Sequence, residues 1–208
     1  MRTAPCLVVM AHPDLAHSRV TRRVQQAFEA EPQLVLHDLY ARYPDFWIDV
    51  DAERAALSAA QLVVWLHPVH WYGMPALMKQ WMDTVLGYGW AYGPGGTALA
   101  GKDLWLCASA GGAEDSYRAM PGAAADAHPN VHPFDPFLPP YRQTAALTRM
   151  RWLPPSVFFH AHRAEGTALD AHVADLVARL RRYPEGLDDT PWALPAEVAG
   201  ERPLEGGV

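Results

Sequence analysis

Short runs of apolar residues alternate along the chain with segments in which apolar residues recur every three or four positions. The runs, together with one segment of strict alternation, predict five strands, at residues 7–10, 34–39, 61–66, 102–108 and 156–160. The periodic segments predict helices that each bury one face, at residues 18–29, 51–58, 75–86, 143–149 and 167–182. Predicted strands and helices therefore alternate along the sequence.

Strands that are apolar throughout are buried on both faces, which is typical of a parallel sheet covered by helices. The pattern predicts an α/β fold of three layers with a five-stranded parallel sheet. We expect the flavodoxin-like strand order 2-1-3-4-5, in which a ligand binds at the carboxyl ends of the strands. This domain takes up residues 1–182, and the Pro-, Gly- and acid-rich residues 183–208 predict a loosely held tail.

Charge and composition argue against several classes of protein, beginning with those that bind nucleic acids. The net charge is −6 and no cluster of Lys and Arg is expected on a plausible surface, which argues against nucleic-acid binding. No apolar run approaches the roughly 20 residues that span a bilayer, and no signal-peptide pattern begins the chain, so we expect a cytoplasmic protein. Cys6 and Cys107 lie in strand-like runs and are predicted to be buried free thiols. The ten histidines show no metal-ligand spacing, so we expect no metal site.

The loop after the first strand combines an abrupt end of the apolar run with hydroxyl residues at the start of a helix. It contains His12, Ser18 and Thr21. The first N–H groups of a helix lack intrahelical acceptors, so a phosphate is stabilised there. The glycine and lysine signatures of dinucleotide and nucleotide-triphosphate loops are missing from this segment. A purely structural alternative is that Ser18 only caps the helix.

A second loop, residues 67–75, holds two prolines, a glycine and the adjacent aromatics Trp71 and Tyr72. Stiffness and exposed rings suit a flat ligand, whereas the alternative is that both rings pack in the core. Four of the eight tryptophans of the chain fall around this loop, so we expect part of this aromatic surface to face a ligand or a partner chain. Trp65, Trp71, Trp81 and Trp90 fall in one window.

A third loop, residues 109–112, carries paired glycines that would let the backbone approach a ligand closely, although an ordinary glycine turn would look the same. In a parallel sheet all three loops emerge at one edge. Their convergence there is the main sequence argument for a ligand site.

Five motifs occur in the order in which a known family has them: AHP followed by Ser18, HPVHWYGMPALMKQWMD, GWAYGPGGTALAGK, SAGG and RWLPP. Over residues 6–182 the chain resembles the NAD(P)H:quinone oxidoreductases of flavodoxin-like fold, and within them the KefF-type ancillary flavoproteins of glutathione-gated potassium efflux. The resemblance implies a homodimer with one flavin per subunit at the subunit interface. It also implies transfer of two electrons from NAD(P)H to a small quinone by a ping-pong hydride route.

The resemblance also assigns site residues. Flavin-binding residues would be His12, Ser18, Arg19, Val20 and Thr21 at the phosphate, Val69, His70, Trp71 and Tyr72 beside the ring, and Ser109, Ala110, Gly111 and Gly112 at its pyrimidine edge. Tyr92, with Trp90 beside it, would line the substrate pocket of the neighbouring subunit.

Tyr117 matches a tyrosine that stabilises charge on the reduced flavin, working with a histidine. Two residues compete for the histidine's role: His128, which keeps the Ala-His-Pro context, and His132, whose spacing to Pro140 fits.

The missing adenosine-binding segment favours FMN over FAD. An alternative function is a regulatory flavin-binding subunit of a potassium-efflux channel, held at the inner face of the membrane by that partner, with little turnover of its own.

Overall fold

The computed structural model describes residues 6–117, 130 and 132–187. Its strands and helices, in chain order, are β1 Cys6–Met10, α1 Val20–Glu29, β2 Leu34–Asp38, α2 Leu39–Arg42, α3 Val50–Ala59, β3 Leu62–Pro68, α4 Ala76–Val85, β4 Asp103–Ser109, α5 Pro139–Leu147, β5 Arg151–Trp152, β6 Ser156–Phe158 and α6 Gly166–Arg182. Short 3-10 turns occur at Leu15–His17, Glu114–Tyr117, Asp135–Phe137, Ala161–Arg163 and Glu185–Leu187.

The strands form one parallel sheet in the order β2-β1-β3-β4-β5, which confirms the predicted order 2-1-3-4-5. The outer position is shared by two short strands, because β5 pairs with the beginning of β4 and β6 pairs with its end. Between them stand Pro154 and Pro155, which have no N–H to donate to a ladder. The sheet therefore has a sixth strand that the sequence pattern does not predict.

The last strand is shorter than the predicted segment 156–160. It ends at Phe158, and His160 takes a left-handed φ of 60°. The N–H of His160 donates to the carbonyl of Gly112 (2.8 Å), so the chain leaves the sheet and crosses over the loop after β4.

Two apolar cores lie on opposite faces of the sheet, because alternate residues of each strand point to opposite sides. Val9 faces the core beneath α3, α4 and α5, whereas Val8 faces the core beneath α1 and α6. Cys6 and Cys107 are buried free thiols, as predicted. Burial raises the pKa of Cys6 to about 12 and raises that of Cys107 as well, so both stay protonated.

Much of the tryptophan-rich surface expected from the sequence lies inside the molecule. Trp65 and Trp81 are only 2% and 0% exposed, so neither can face a ligand or a partner chain. The indole N–H of Trp81 instead donates to the carboxylate of Glu53 (3.0 Å). The prediction is wrong for these two residues because Trp65 lies in the fully buried strand β3 and Trp81 lies on the buried face of α4.

Glu53 is the most deeply buried carboxylate that the structure describes, with 0% exposure. Its oxygens lie 2.9 Å from Nδ1 of His37 and 2.7 Å from the hydroxyl of Tyr43, which donates to it. Burial alone would raise the pKa of Glu53, but these hydrogen bonds outweigh it and lower the pKa. The cluster ties β2, α3 and α4 together behind the first loop.

Two helices differ from the expectation. α5 begins at Pro139 rather than near residue 143, with prolines in the first turn, where a missing N–H is harmless. α2 is not predicted at all. It is capped by Asp38, whose carboxylate accepts from the N–H groups of Tyr40 and Ala41. The remaining predicted helices differ by at most two residues at each end.

The first residues of the predicted tail pack against the domain. The hydroxyl of Tyr183 donates to Asp103 (2.6 Å), and Leu187 is buried. Residues 188–208 lie outside the described part of the chain. Within the described part, every helix is too short or too polar to cross a membrane.

Candidate functional site

A cavity of about 800 Å³ opens at the carboxyl edge of the sheet, where the loops after β1, β3, β4 and β6 meet. Its size is in the range of protein sites for cofactors and small molecules. The predicted site residues that line it are His12, Ser18, Arg19, Val20, Val69, His70, Trp71, Tyr72, Ser109, Gly111, Gly112 and Tyr117. The structure also adds residues that the sequence reasoning did not assign to the site: Asp14, His17, Pro68, Asn130, Ala161 and His162.

Other predicted site residues are not among the described residues that line the cavity. Thr21 and Ala110 are both 1% exposed and sit beneath the cavity surface. His132 is exposed and is not among the described lining residues, and His128 falls outside the described residues.

Trp90 and Tyr92 follow α4 and are not among the lining residues of this chain's own cavity; both are half-buried and pack against the core beneath α3, α4 and α5. The guanidinium of Arg54 covers the ring of Trp90 at 4.9 Å, and Tyr92 packs edge-on against Tyr88. Tyr88 is 70% exposed, so the tip of this loop faces outwards.

The first loop, after β1, places the N-terminal end of α1 at the cavity. Ser18 has extended backbone, and its Oγ accepts a hydrogen bond from the N–H of Thr21 (3.1 Å). Ser18 therefore caps the helix, as the structural alternative holds, and it lines the cavity as well. The other N–H groups of the first turn have no acceptor inside the helix and form an anion-binding end.

Charges around this end favour an anion. The guanidinium of Arg19 lines the cavity and is 3.8 Å from the carboxylate of Glu165, with both side chains more than half exposed. The one carboxylate in the lining, Asp14, is hydrogen bonded to Nδ1 of His17 (2.8 Å), which lowers the pKa of Asp14. An incoming phosphate would compete with Glu165 for Arg19.

The second loop is a tight turn in which two large residues take left-handed backbone. The N–H of His70 donates to the carbonyl of Gly73 (2.9 Å), and the N–H of Gly73 donates back (3.1 Å). Between them Trp71 and Tyr72 have φ values of 48° and 65°, whereas Gly73 itself does not need a positive φ. Turns of this kind favour Asn and Gly. Each such residue costs about 1–3 kcal/mol, and such strain is concentrated at functional sites.

The rings of this turn are presented to solvent and to the cavity. Trp71 is 94% exposed and Tyr72 is 48% exposed, so the core-packing alternative is wrong. The turn is tied to the first loop by the rings of His12 and His70, whose centroids are 6.0 Å apart. Burial, and then the neighbouring His70, lower the pKa of His12. Among the described residues, no three His, Cys, Asp or Glu side chains gather closely enough to hold a metal ion.

The third loop requires glycine at two positions because neighbouring side chains leave no space there for a Cβ. A Cβ on Gly111 would lie 2.3 Å from Nε2 of His162, and one on Gly112 would lie 2.8 Å from Oγ of Ser116. Neither glycine has a positive φ, so close approach is the reason for both. The loop is joined to the second one by the N–H of Val69, which donates to the carbonyl of Ser109 (2.7 Å).

Tyr117 stands at the far wall of the cavity. Its ring packs against Phe134, Phe137 and Phe159 at centroid distances of 5.4, 6.2 and 5.7 Å. Burial raises the pKa of Tyr117, although a hydrogen bond with the backbone of Gly112 acts in the opposite direction. Tyr117 is therefore a neutral phenol that can donate a hydrogen bond at physiological pH.

The chain matches the family described as flavodoxin-like fold over residues 5–182. The chain belongs to the flavodoxin-like fold family. Among relatives of this flavodoxin-like chain is the glutathione-regulated potassium-efflux system ancillary protein KefF of Salmonella heidelberg strain SL476. The two are 39% identical over 179 residues, which cover 86% of this chain and 97% of that protein.

Solved structures of flavodoxin-like proteins agree with this placement. General stress protein 14 of Treponema denticola, solved in complex with FMN, superposes with a TM-score of 0.75 at 33% identity, covering 85% of this chain and 98% of that one. An NADPH-quinone reductase of P. pentosaceus superposes with a TM-score of 0.72 at 27% identity, covering 83% and 95%. The predicted fold and the predicted family are thus both confirmed.

Proposed function

We propose that this protein is an FMN-dependent NAD(P)H:quinone oxidoreductase of KefF type. The observation that carries the proposal is the single cavity in which an anion-binding helix end, an exposed aromatic turn and a glycine loop stand side by side. Similarity to a KefF protein, to an FMN-containing structure and to an NADPH-quinone reductase supports it.

The residues of the cavity fit a flavin mononucleotide by their chemistry. Ser18 and Arg19, with the N–H groups that begin α1, would hold the phosphate. Trp71 and Tyr72 would lie beside the isoalloxazine, and the backbone of Gly111 and Gly112 would meet its edge. FMN is preferred to FAD because a structure that is 33% identical to this chain was solved in complex with FMN. When bound, the flavin supplies the chemistry of accepting a hydride from NAD(P)H and passing two electrons to a quinone in a ping-pong cycle.

In this proposal the protein has a hydrogen-bond donor in place where hydride transfer would add negative charge to the flavin. Tyr117 holds its proton and donates toward the pyrimidine end, where the negative charge collects. His128 or His132 is retained as the histidine that would work with it, and only His132 is described.

A second copy of the chain would complete the substrate pocket. Trp90 and Tyr92 are not in the lining of their own cavity, and the neighbouring Tyr88 is 70% exposed, which suits a contribution of this loop to the cavity of a partner subunit. The proposal therefore includes a homodimer located in the cytoplasm.

The second candidate is a regulatory subunit that binds flavin and acts on a potassium-efflux channel. It is favoured by the 39% identity to a protein named as ancillary to such a system.

Turnover distinguishes the two candidates. Purified protein loaded with FMN is mixed with NADPH or NADH and a small quinone, and oxidation of the nucleotide is followed by absorbance. We expect quinone-dependent oxidation that continues for many cycles. Protein that retains FMN but shows no turnover with either nucleotide would overturn the enzyme proposal in favour of the regulatory one.

A further inference from the structure

We propose that His162 is a further cofactor-binding residue, which donates a hydrogen bond to the edge of the flavin ring held over the third loop. The inference rests on the proposed function and adds a fourth loop to the site. His162 lines the same cavity as the other three loops, and no motif of the sequence assigns it a role.

The placement of His162 follows from the topology. β6 is parallel to β4, so the residues after both strands emerge at the same edge of the sheet. Two residues separate the end of β6 from the short turn Ala161–Arg163, and this turn places His162 in the cavity lining beside the third loop. Position alone therefore brings an imidazole into the site.

Backbone hydrogen bonds fix this turn to the third loop. The N–H of Ala110 donates to the carbonyl of Phe158 (2.8 Å), and the N–H of Ala161 donates to the carbonyl of Ala110 (2.9 Å). The N–H of His160 adds a third bond, to Gly112 (2.8 Å). The two loops are thus hydrogen bonded to each other at three points, which positions the backbone of the turn that carries His162.

The imidazole lies directly over Gly111. Its Nε2 would be 2.3 Å from a Cβ at that position, so the glycine leaves the space that the ring occupies. His162 is nevertheless an exposed residue that lines the cavity, so it remains available to a ligand there. An imidazole N–H at this place would be next to the edge of a ring that is bound against the backbone of Gly111 and Gly112.

The chemistry predicts a preference for the reduced cofactor. Hydride transfer adds negative charge to the flavin edge, and a hydrogen bond to a charged acceptor is stronger than one to a neutral acceptor. A donor at His162 therefore stabilises the reduced form more than the oxidised form. Loss of the donor should weaken binding of reduced FMN more than binding of oxidised FMN.

The test compares His162→Leu, which keeps bulk but removes the donor, with His162→Gln, which keeps an N–H. Affinity for oxidised FMN is measured by fluorescence quenching, and the midpoint potential of the bound FMN by equilibration with a reference dye. We expect His162→Leu to lose about tenfold more affinity for reduced than for oxidised FMN. This change corresponds to a midpoint potential about 30 mV more negative. We expect His162→Gln to restore most of the difference.

The matched control is His160→Asn, at the residue before that turn and outside the cavity lining, since Asn tolerates the left-handed backbone of that position. It should leave both the affinity and the potential unchanged. If the unmodified protein binds FMN and His162→Leu has the same affinity and the same midpoint potential, the role of His162 is overturned and the proposed function is not. Failure of the unmodified protein to bind FMN would overturn the proposed function as well.

Discussion

Tyr117 shows how the surroundings of one side chain set its chemistry. Three phenylalanine rings cover the phenol, and burial raises its pKa, so the proton stays on the oxygen. The site therefore has a neutral donor that is already in place before any charge develops. Donors arranged in advance in this way lower barriers without reorganising during the reaction.

Replacing Tyr117 with Phe keeps the ring packing and removes only the hydroxyl. We expect reduction of bound FMN by NAD(P)H to slow by about 100- to 1,000-fold, the effect of one lost donor to developing charge. Binding of oxidised FMN should change little. Rapid mixing with NADPH measures the rate, and Tyr40→Phe, which removes a hydroxyl outside the cavity lining, serves as the control. An unchanged reduction rate would remove Tyr117 from the mechanism.

Ser18 has two roles that one pair of variants can separate. Ser18→Ala removes the cap of α1 and should lower the free energy of unfolding by about 1 kcal/mol, while also weakening FMN binding. Ser18→Asp keeps a capping oxygen but adds a negative charge beside the proposed phosphate site. We expect its stability to be retained and its FMN affinity to fall further than in Ser18→Ala. Affinity for FMN that is equal in both variants would contradict the phosphate assignment.

At the scale of elements, the second loop illustrates what a sequence pattern can and cannot predict. Its place after β3 and its two prolines predict a stiff loop at the ligand edge. The left-handed backbone of Trp71 and Tyr72 is not predictable in this way, because propensity would assign such angles to Gly73. Exposure of both rings likewise depends on the turn geometry rather than on the hydrophobicity of the residues.

Replacing Trp71 with Asn should relieve strain in the turn. Asn tolerates left-handed backbone, and little packing is lost because the indole is 94% exposed. We expect the cofactor-free protein to gain about 1 kcal/mol of stability in thermal or denaturant unfolding, and to bind FMN more weakly. Trp47→Asn is the control, since Trp47 is 83% exposed and has no positive φ. A gain of the same size in both variants would contradict the assignment of strain to the turn.

For the whole molecule, the alternation of buried runs and amphipathic segments is sufficient to predict the strand order, because a parallel sheet permits few arrangements. The split of the outer strand at Pro154 and Pro155 depends on pairing with β4, which the pattern alone does not specify. The fourth loop was missed because the sequence reasoning did not extend the edge rule beyond the strand at residue 156. His162 follows that strand closely, so the same rule would have found it.

The stability of the fold should depend on pH through His67, which is fully buried and stacks on Tyr141 with ring centroids 5.7 Å apart. Burial lowers the pKa of His67 to about 4, although its hydrogen bond to the carbonyl of Pro68 acts in the opposite direction. The unfolded chain, with an ordinary value of 6.5, therefore binds the proton first as pH falls. The difference corresponds to about 3 kcal/mol of stability, present above pH 6.5 and lost progressively toward pH 4.

Denaturant unfolding at a series of pH values between 7 and 4 measures this loss. His67→Gln should be less stable at neutral pH but should show a much shallower decline with falling pH. The exposed His160→Asn should keep the slope of the unmodified protein. Equal slopes in His67→Gln and the unmodified protein would show that other groups carry the pH dependence.

The central claim is that the cavity at the sheet edge binds one flavin mononucleotide, and a direct titration tests it. Purified protein, stripped of any bound chromophore, is titrated into FMN and then into FAD while flavin fluorescence is followed. We predict saturable quenching by FMN at one flavin per chain, with Ser18→Asp greatly weakened. Absence of binding by both flavins, in protein whose folding is verified by its cooperative unfolding, would contradict the account.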